Sequence, residues 1–191
     1  MNRAVFFDKD GVLNPDRGVA GNLASVEVYA DAPRVIARCR EAGYLIFVVT
    51  NQPAVARGVV TEDALRGHLE RFGSHLRALD PGAVIDRILY CPHHPNANVT
   101  AYRVSCECRK PRPGMIHAAA SEYDVDLACS VLVGDRISDV IAGYLAGCGT
   151  TVQVLSGQHD APMIETDLIL TTVVAPDRLI AELGELMGLI A

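Results

Sequence analysis

Short apolar runs alternate along this chain with longer segments of helical periodicity, and this alternation most restricts how it can fold. The runs at 4–7, 44–49, 84–90 and 130–133 are too short for buried helices and have the length of central strands. Strands that alternate with helices form parallel sheets with right-handed crossovers and helices on both faces. The sequence therefore predicts an α/β fold, a doubly wound (Rossmann-like) parallel sheet in one domain over residues 1–191.

The remaining elements follow from the same patterns. Helices are predicted at 31–43, 61–79, 113–123 and 137–147, and two more strands at 151–155 and 167–171. The apolar spacing near the C-terminus predicts a last helix that contains Leu179, Ile180, Leu183, Leu186 and Met187. Residues 91–112 have no regular pattern and are expected to form a loop.

The charge balance argues against a nucleic-acid partner. The 191 residues include 17 Lys and Arg against 23 Asp and Glu, which gives a net charge of −6. Phosphate backbones attract basic surfaces, so an acidic chain without a basic stripe is disfavoured as a DNA or RNA binder. No segment has the layout of a signal peptide, and no apolar run approaches ~18 residues, the length of a membrane span. We expect a cytoplasmic, monomeric protein that binds neither nucleic acid nor membrane.

Polar side chains follow three of the predicted strands. Asp8 and Asp10 come directly after the first strand, Thr50 after the second, and Asp135 after the strand at 130–133. The carboxyl ends of parallel strands meet at one edge of the sheet, so these groups are expected to share one crevice. Residues two apart in an extended segment point the same way, so Asp8 and Asp10 can face one spot. Two acids there suit Mg²⁺ or a nucleophile beside an acid/base, although the stretch alone would also fit a solvated turn.

Lys110 adds a cation to this set, next to Arg109 and just ahead of the predicted helix at 113–123. Basic side chains and a helix N-terminus favour anions, although a solvated lysine is the usual state of this residue type. Phosphoryl transfer from a monoester needs a carboxylate that attacks phosphorus, a cation that bridges it to a phosphate oxygen, and donors for the other oxygens. The acids, the threonine and the lysine together meet these needs.

These residues lie in four short motifs: Asp8-x-Asp10, Thr50, Lys110 and Gly134-Asp135-x-x-x-Asp139. In order and spacing the motifs resemble those of the haloacid dehalogenase (HAD) superfamily. The resemblance implies that Asp8 is the nucleophile that forms an aspartyl-phosphate, and that Asp10 is the general acid and base of a phosphatase. It also implies that Thr50 and Lys110 hold the transferring phosphoryl group.

The same resemblance implies a Mg²⁺ site made by Asp8, the backbone carbonyl of Asp10, and Asp135. Asp139 would support the metal site or orient Lys110. The intervals between the first three motifs are filled by helix, strand and a cysteine-containing loop, which leaves no room for a large cap domain. A HAD-type core without such a cap is therefore expected.

Three of the six cysteines cluster with histidines in the irregular segment: Cys91, His93 or His94, Cys106 and Cys108. Three thiolates and one imidazole make the closed four-ligand set of structural zinc. Chance clustering of reduced cysteines is the alternative, and the spacing does not choose between the two histidines. Zn²⁺ would fix this segment, which we call the zinc loop (residues 91–109), and would thereby place the lysine that follows it.

The wider pattern Cys-Pro-His-His…Cys-x-Cys-Arg-Lys-Pro-x-Pro-Gly-Met resembles the D-glycero-D-manno-heptose 1,7-bisphosphate 7-phosphatases, together with the related histidinol-phosphate phosphatases. This closer resemblance implies that the zinc ligands are Cys91, His93, Cys106 and Cys108. It also assigns Arg109 to recognition of a second phosphate on the substrate.

Other substrate contacts are expected from the loops around the four motifs: Asp16, Arg17, Asn51, Gln52 and Arg136. Several of these segments depart from the heptose enzymes. Pro53-Ala54 replaces the usual Ser-Gly after Gln52, and Pro53 has no N–H while Ala54 lacks the freedom of glycine. Residues 16–19 lack the tyrosine of the usual substrate loop, and Gly134-Asp135-Arg136 is closer to the histidinol-phosphate version.

The expected function is that of a Mg²⁺-dependent phosphomonoesterase acting on a small phosphorylated sugar, with heptose 1,7-bisphosphate cleaved at C7 as the preferred substrate. Histidinol-phosphate phosphatase activity is the close alternative. The third hypothesis is a zinc-stabilised module that has lost catalysis and only senses a phosphorylated ligand. The Pro53-Ala54 loop favours that hypothesis, and the intact set of acids and lysine argues against it.

Overall fold

A six-stranded parallel sheet forms the centre of the computed structural model, which describes residues 1–18, 25–155 and 175–190. Its strands are β1 (Arg3–Phe7), β2 (Tyr44–Asn51), β3 (Arg87–Cys91), β4 (Val131–Gly134), β5 (Thr150–Val154) and β6 (Arg178–Ile180). The strand order is β3-β2-β1-β4-β5-β6, and each neighbouring pair is parallel. In this order the chain reverses its direction across the sheet between β1 and β4, where doubly wound sheets bind their ligands.

Helices connect the first five strands within the described residues: α1 (Ala32–Glu41), α2 (Glu62–Leu79), α3 (Gly114–Tyr123) and α4 (Ile137–Ala146). A short helix, α5 (Met187–Ile190), follows β6. Short 3₁₀ turns lie at Thr100–Tyr102, Leu127–Cys129 and Leu183–Leu186. α2 begins as predicted, because the side chain of Thr61 accepts a hydrogen bond from Ala64 N at 3.2 Å and caps the helix. In the described part of the chain, no helix is both long enough and apolar enough to span a bilayer.

Alternate residues of β1 pack into two hydrophobic cores on opposite faces of the sheet. Val5 and Phe7 belong to a core that includes apolar residues of α1, α2 and the C-terminal segment. Ala4 and Phe6 belong to a second core with residues of α3 and α4. Successive strand residues point to opposite faces, so this division places helices on both sides of the sheet. The predicted doubly wound α/β fold is confirmed.

The C-terminal helix predicted for Leu179, Ile180, Leu183, Leu186 and Met187 is wrong in its first part. Leu179 and Ile180 lie in β6, which pairs with β5 at the edge of the sheet. Leu179 is 60% exposed and Ile180 only 4%, so the strand buries its last side chain against the core. A 3₁₀ turn and α5 follow this strand, so the apolar spacing had joined two different elements.

The strand predicted at 84–90 begins only at Arg87, because the side chain of the preceding residue, Asp86, bonds to the backbone of β2. The carboxylate of Asp86 accepts hydrogen bonds from Ile46 N and from the Arg40 guanidinium, both at 2.7 Å. The backbone N–H of Ile46, near the start of β2, is therefore satisfied by a side chain and not by the backbone of a neighbouring strand. The strand predicted at 167–171 lies outside the described residues.

Gly149, just before β5, has no room for a side chain. A Cβ atom there would overlap the backbone carbonyl of Ala128 in the 3₁₀ turn ahead of β4. We predict that Gly149→Ala destabilises the protein by about 1–3 kcal/mol, the usual range for overpacking. Gly188→Ala on α5 is the matched control, because no heavy atom lies within 4 Å of that Cβ position. Equal midpoints of urea unfolding for the two variants would contradict this account.

Candidate active site

β1 ends in a tight turn that holds Asp8 and Asp10 at the carboxyl edge of the sheet. Asp8 N donates to the carbonyl of Val133 on β4 at 2.8 Å, which extends the pairing of the two central strands. The carbonyl of Lys9 then accepts from Leu13 N at 2.9 Å, so the chain folds back on itself. The backbone that carries both acids is therefore fixed by hydrogen bonds, and it lies at the switch point between β1 and β4.

Lys110 is a buried cation held between two acids. Its Nζ lies 2.8 Å from Asp8 Oδ1 and 2.6 Å from Asp139 Oδ1, and the residue is 2% exposed. Burial by itself lowers the pKa of an ammonium, but the charges of Asp139 and Asp8 outweigh it and raise the pKa of Lys110 above its usual value. The lysine therefore carries its charge at neutral pH.

Asn51, the last residue of β2, clamps the backbone of Lys110. Its Nδ2 donates to the Lys110 carbonyl and its Oδ1 accepts from Lys110 N, both at 3.0 Å. The sequence predicts substrate binding for Asn51, whereas these contacts occupy both polar atoms of its amide. Its role in the structure is to tie the lysine to the sheet.

Three carboxylates converge beside Lys110, those of Asp8, Asp135 and Asp139, with ligand oxygens within 4.8 Å of one another. Burial raises the pKa of Asp8 to about 6, opposed by the charge of Lys110 and aided by that of Asp139. Burial and the charge of Asp8 raise the pKa of Asp135 to about 8. A divalent cation would relieve this repulsion, and buried carboxylate oxygens are the ligands that Mg²⁺ prefers. The donor set therefore fits Mg²⁺.

Gly134 allows Asp139 to reach this cluster from the first turn of α4. A Cβ atom at Gly134 would overlap the side chain of Asp139. The Asp139 carboxylate accepts from Arg136 N at 3.0 Å through Oδ2 and contacts Lys110 through Oδ1. The glycine of the fourth motif is thus needed for close packing. Asp139 orients Lys110, which is one of the two roles that the sequence suggests for it.

Asp10 is held by a separate set of donors. Its Oδ1 accepts from Lys9 Nζ at 2.7 Å and from Asn14 Nδ2 at 2.9 Å, while its Oδ2 accepts from Gln52 Nε2 at 2.7 Å. Gln52 also donates to Thr50 Oγ1 at 3.1 Å, so it connects the second motif to Asp10. The sequence predicts Gln52 as a substrate ligand, and the structure places it between two predicted catalytic residues.

Asp16, Arg17 and Arg136, three of the predicted substrate-binding residues, lie on the loops that follow β1 and β4. Arg136 Nη2 lies 2.9 Å from Asp16 Oδ2, which joins the two loops. Arg17 makes two hydrogen bonds to Glu27, at 2.7 and 2.8 Å. Both arginine side chains are about half exposed, so their charges border the site at its surface.

Four side chains of the zinc loop form a compact cluster: Cys91, His93, Cys106 and Cys108. The sulfur of Cys108 lies 3.2 Å from Cys91 Sγ, 3.3 Å from Cys106 Sγ and 3.5 Å from His93 Nδ1. The hydrogen bond shared with Cys91 lowers the pKa of Cys108 to about 5, which favours the thiolate form that zinc binds. A tetrahedral zinc with Zn–S bonds of ~2.3 Å spaces its ligands by about 3.8 Å, close to these separations. The donor set fits structural Zn²⁺.

His93, and not His94, contributes to this cluster. His94 Nδ1 instead accepts a hydrogen bond from Asn96 N at 3.1 Å. The sequence spacing does not distinguish the two histidines, and the structure favours His93, which the family resemblance also implies. His93 also connects to the site, because its carbonyl accepts from Arg109 Nη1 at 3.2 Å.

Lys9 and Asn14 were not recognised from the sequence as functional residues. Both are buried, at 1% and 4% exposure, and both donate to Asp10. A lysine between two acids in a segment that follows a buried strand is a signal, because lysine is rarely buried without a charged partner. The signal is weak without coordinates, since a turn residue is normally solvated.

Known proteins match this chain in sequence and in fold. The model of the HAD-hydrolase-like family matches residues 107–186. A D-glycero-β-D-manno-heptose-1,7-bisphosphate 7-phosphatase of Yersinia pestis is 39% identical over 158 residues, 81% of each chain. The chain belongs to the heptose-bisphosphate phosphatase family of HAD-like hydrolases.

Other members of the heptose-bisphosphate phosphatase family match over most of their length. A D-glycero-α-D-manno-heptose-1,7-bisphosphate 7-phosphatase of Burkholderia mallei is 40% identical over 168 residues, 86% of this chain and 85% of its own. The crystal structure of D,D-heptose 1,7-bisphosphate phosphatase from B. bronchiseptica, complexed with magnesium and phosphate, has a TM-score of 0.74 and 28% identity. The match covers 98% of this chain and 97% of that one. The HAD-type core without a large cap domain is therefore confirmed.

The cysteine cluster leads to a prediction about metal content. We predict about one zinc ion per chain in the purified protein, and loss of both zinc and thermal stability in Cys106→Ser. Cys129→Ser is the matched control, because Cys129 is exposed and lies outside the cluster. Elemental analysis and calorimetric melting measure both effects. A zinc-free wild-type protein that is fully stable would argue against a structural metal.

The acidic cluster leads to a second prediction. Mg²⁺ is expected to raise the melting temperature of the wild type, since a ligand at a hundredfold excess over its Kd stabilises by about 2.7 kcal/mol. Asp135→Asn should abolish most of this rise because it removes a charged ligand. Asp63→Asn, an exposed position on α2, should leave it intact. An unchanged Mg²⁺ response in Asp135→Asn would contradict the assignment.

Proposed function

We propose that the protein is a Mg²⁺-dependent phosphomonoesterase that removes the 7-phosphate of D-glycero-D-manno-heptose 1,7-bisphosphate through an aspartyl-phosphate. One observation carries the reaction type. The carboxylate of Asp8 lies 2.8 Å from a buried lysine and inside an acidic cluster, while Asp10 is held by other donors two residues away. Two carboxylates in such different surroundings suit two different chemical roles.

In the first step, Asp8 attacks phosphorus and the bond from phosphorus to the substrate oxygen breaks. The leaving alkoxide takes a proton from Asp10. In the second step, Asp10 accepts a proton from water as that water attacks the aspartyl-phosphate, which releases phosphate and restores Asp8. Lys110 and Thr50 hold the phosphoryl oxygens throughout, so that charge is stabilised where it develops.

The charge balance of the site supports the metal. Four carboxylates lie at the site, those of Asp8, Asp10, Asp135 and Asp139, against the two ammonium groups of Lys9 and Lys110. The fully ionised set therefore has an excess of two negative charges, which one divalent cation neutralises. Asp8, Asp135 and the carbonyl of Asp10 would hold Mg²⁺, which would supply electrophilic stabilisation of the phosphoryl oxygens.

Membership of the heptose-bisphosphate phosphatase family supports heptose 1,7-bisphosphate as the proposed substrate. Relatives named for the β anomer and for the α anomer of heptose 1,7-bisphosphate are 39% and 40% identical to this chain over the 158 and 168 aligned residues. Arg109, anchored to the zinc loop through the His93 carbonyl, is the proposed ligand of the second phosphate. Asp16, Arg17 and Arg136 border the place where the sugar would lie. Zn²⁺ at the cysteine cluster would hold this arrangement in place.

Four expectations about the whole protein remain predictions. We predict that it forms a single domain over residues 1–191, is monomeric, is cytoplasmic, and binds neither nucleic acid nor membrane. A small phosphorylated metabolite is the partner that the site supports.

Asp8→Asn tests the nucleophile. The amide is close in shape but cannot form the acyl phosphate, so we expect phosphate release to fall to the background rate while the fold and zinc content persist. The matched control is Asp124→Asn at the far end of α3, where the Asp124 carbonyl accepts from Asn2 N ahead of β1. Turnover by Asp8→Asn at the wild-type rate would contradict the mechanism.

A substrate comparison tests the proposed sugar. We expect kcat/KM for heptose 1,7-bisphosphate, measured with each anomer, to exceed that for histidinol phosphate. The sequence Gly134-Asp135-Arg136 is the observation that favours histidinol phosphate, and a preference for it would replace the proposed substrate. No release of phosphate from a broad panel of phosphorylated metabolites with Mg²⁺ present would favour the binding module instead.

A further inference from the structure

We propose that Lys9 is a positioning residue that fixes the carboxylate of Asp10 for proton transfer. The inference rests on the proposed function, because it assigns Lys9 a task within that reaction. Lys9 lies between the two predicted catalytic acids in the sequence, but it is directed away from Asp8 and towards Asp10. Its Nζ donates to Asp10 Oδ1 at 2.7 Å, whereas Asp8 pairs with Lys110.

Lys9 is buried beside an aromatic ring, although lysine is normally solvated. The residue is 1% exposed, and its ammonium lies 4.9 Å from the centre of the Phe72 ring on α2. A buried ammonium is strongly unfavourable unless it is paired, and a cation over an aromatic face recovers only part of the lost hydration. The Asp10 carboxylate is the anion that compensates it, so the two side chains fix each other.

The buried side chain of His68 lies close to the ion pair between Lys9 and Asp10 and does not add a competing positive charge. His68 on α2 is 2% exposed, and neither of its ring nitrogens has a hydrogen-bond partner among residues 1–18, 25–155 and 175–190. Burial and the nearby charge of Lys9 lower the pKa of His68, with Arg71 acting in the same direction and Asp10 against it. A neutral imidazole adds no charge to this region. Lys9 therefore acts on Asp10 without a competing cation from His68.

The donors leave Asp10 in one orientation. Lys9 and Asn14 share Oδ1, and Gln52 contacts Oδ2 from the other side. The side chain of Asp10 is still 16% exposed, which leaves an edge open to a leaving group or water. Of these three donors only Lys9 carries a full positive charge, so its bond adds an ionic attraction that the amide donors of Asn14 and Gln52 lack. Loss of this charge would let the carboxylate turn away from the substrate.

The test uses two substitutions in the full-length protein. Lys9→Met keeps the length and apolar stem of the side chain but removes the charge, and Lys9→Arg keeps the charge. For heptose 1,7-bisphosphate we expect Lys9→Met to lower kcat by about 10–100-fold with KM unchanged, because general acid–base catalysis depends on position. Lys9→Arg should recover most of that loss. Phe72→Leu, which removes the ring beneath the ammonium, should give a smaller decrease of the same kind.

The decisive measurement compares leaving groups. Nitrophenolate leaves as a stable anion and needs no proton, so its release from p-nitrophenyl phosphate in a single turnover with excess enzyme should be equally fast in wild type and Lys9→Met. Release from phenyl phosphate, whose leaving group has a pKa near ~10 like tyrosine, should be slowed. An equal loss with both esters would mean general damage to the site, and an unchanged kcat would remove any role for Lys9. A wild type that releases phosphate neither from heptose 1,7-bisphosphate nor from either aryl ester would contradict the proposed function itself.

Discussion

The buried ammonium of Lys110 is the interaction on which the arrangement of the site depends. It lies against Asp8 and Asp139, so it joins the end of β1 to the first turn of α4. Removing these charges from water is costly, and their mutual attraction repays this only when the geometry is closely held. The backbone of Lys110 is accordingly fixed by Asn51 on one side and continues from the zinc loop on the other. The sheet, the zinc loop and the carboxylate of Asp8 are therefore positioned together.

Each of the two motif acids has its own lysine, and this separates their chemistry. Asp8 is paired with Lys110 in the acidic cluster that fits Mg²⁺, which suits the proposed attack by its carboxylate as an anion. Asp10 is paired with Lys9 outside that cluster and shares an edge with solvent, which suits a group that exchanges protons. Asp8 and Asp10, two residues apart in the turn after β1, thus occupy different electrostatic surroundings.

The sequence was sufficient for the features that follow from strand direction. Asp8, Thr50 and Asp135 end parallel strands, and such ends share an edge in any doubly wound sheet. β6 was missed because Leu179 and Ile180 continue an apolar pattern that suits a helix, whereas pairing with β5 decides their conformation. Lys9 was missed for a similar reason: its burial depends on Phe72, which is distant in sequence and meets it only in the folded chain.

The zinc loop shows how a segment without a core can still be precise. Cys91 is fully buried at the end of β3, and Cys106 and Cys108 pack against the core formed with α3 and α4. The loop is also tied to the segment after β2, where the Ala56 carbonyl accepts from Asn98 N at 2.9 Å. Order in an irregular segment otherwise has to be gained against its conformational entropy. The four side chains of the Cys/His cluster, set into the edge of a hydrophobic core, would provide that order on binding Zn²⁺, directly ahead of Lys110.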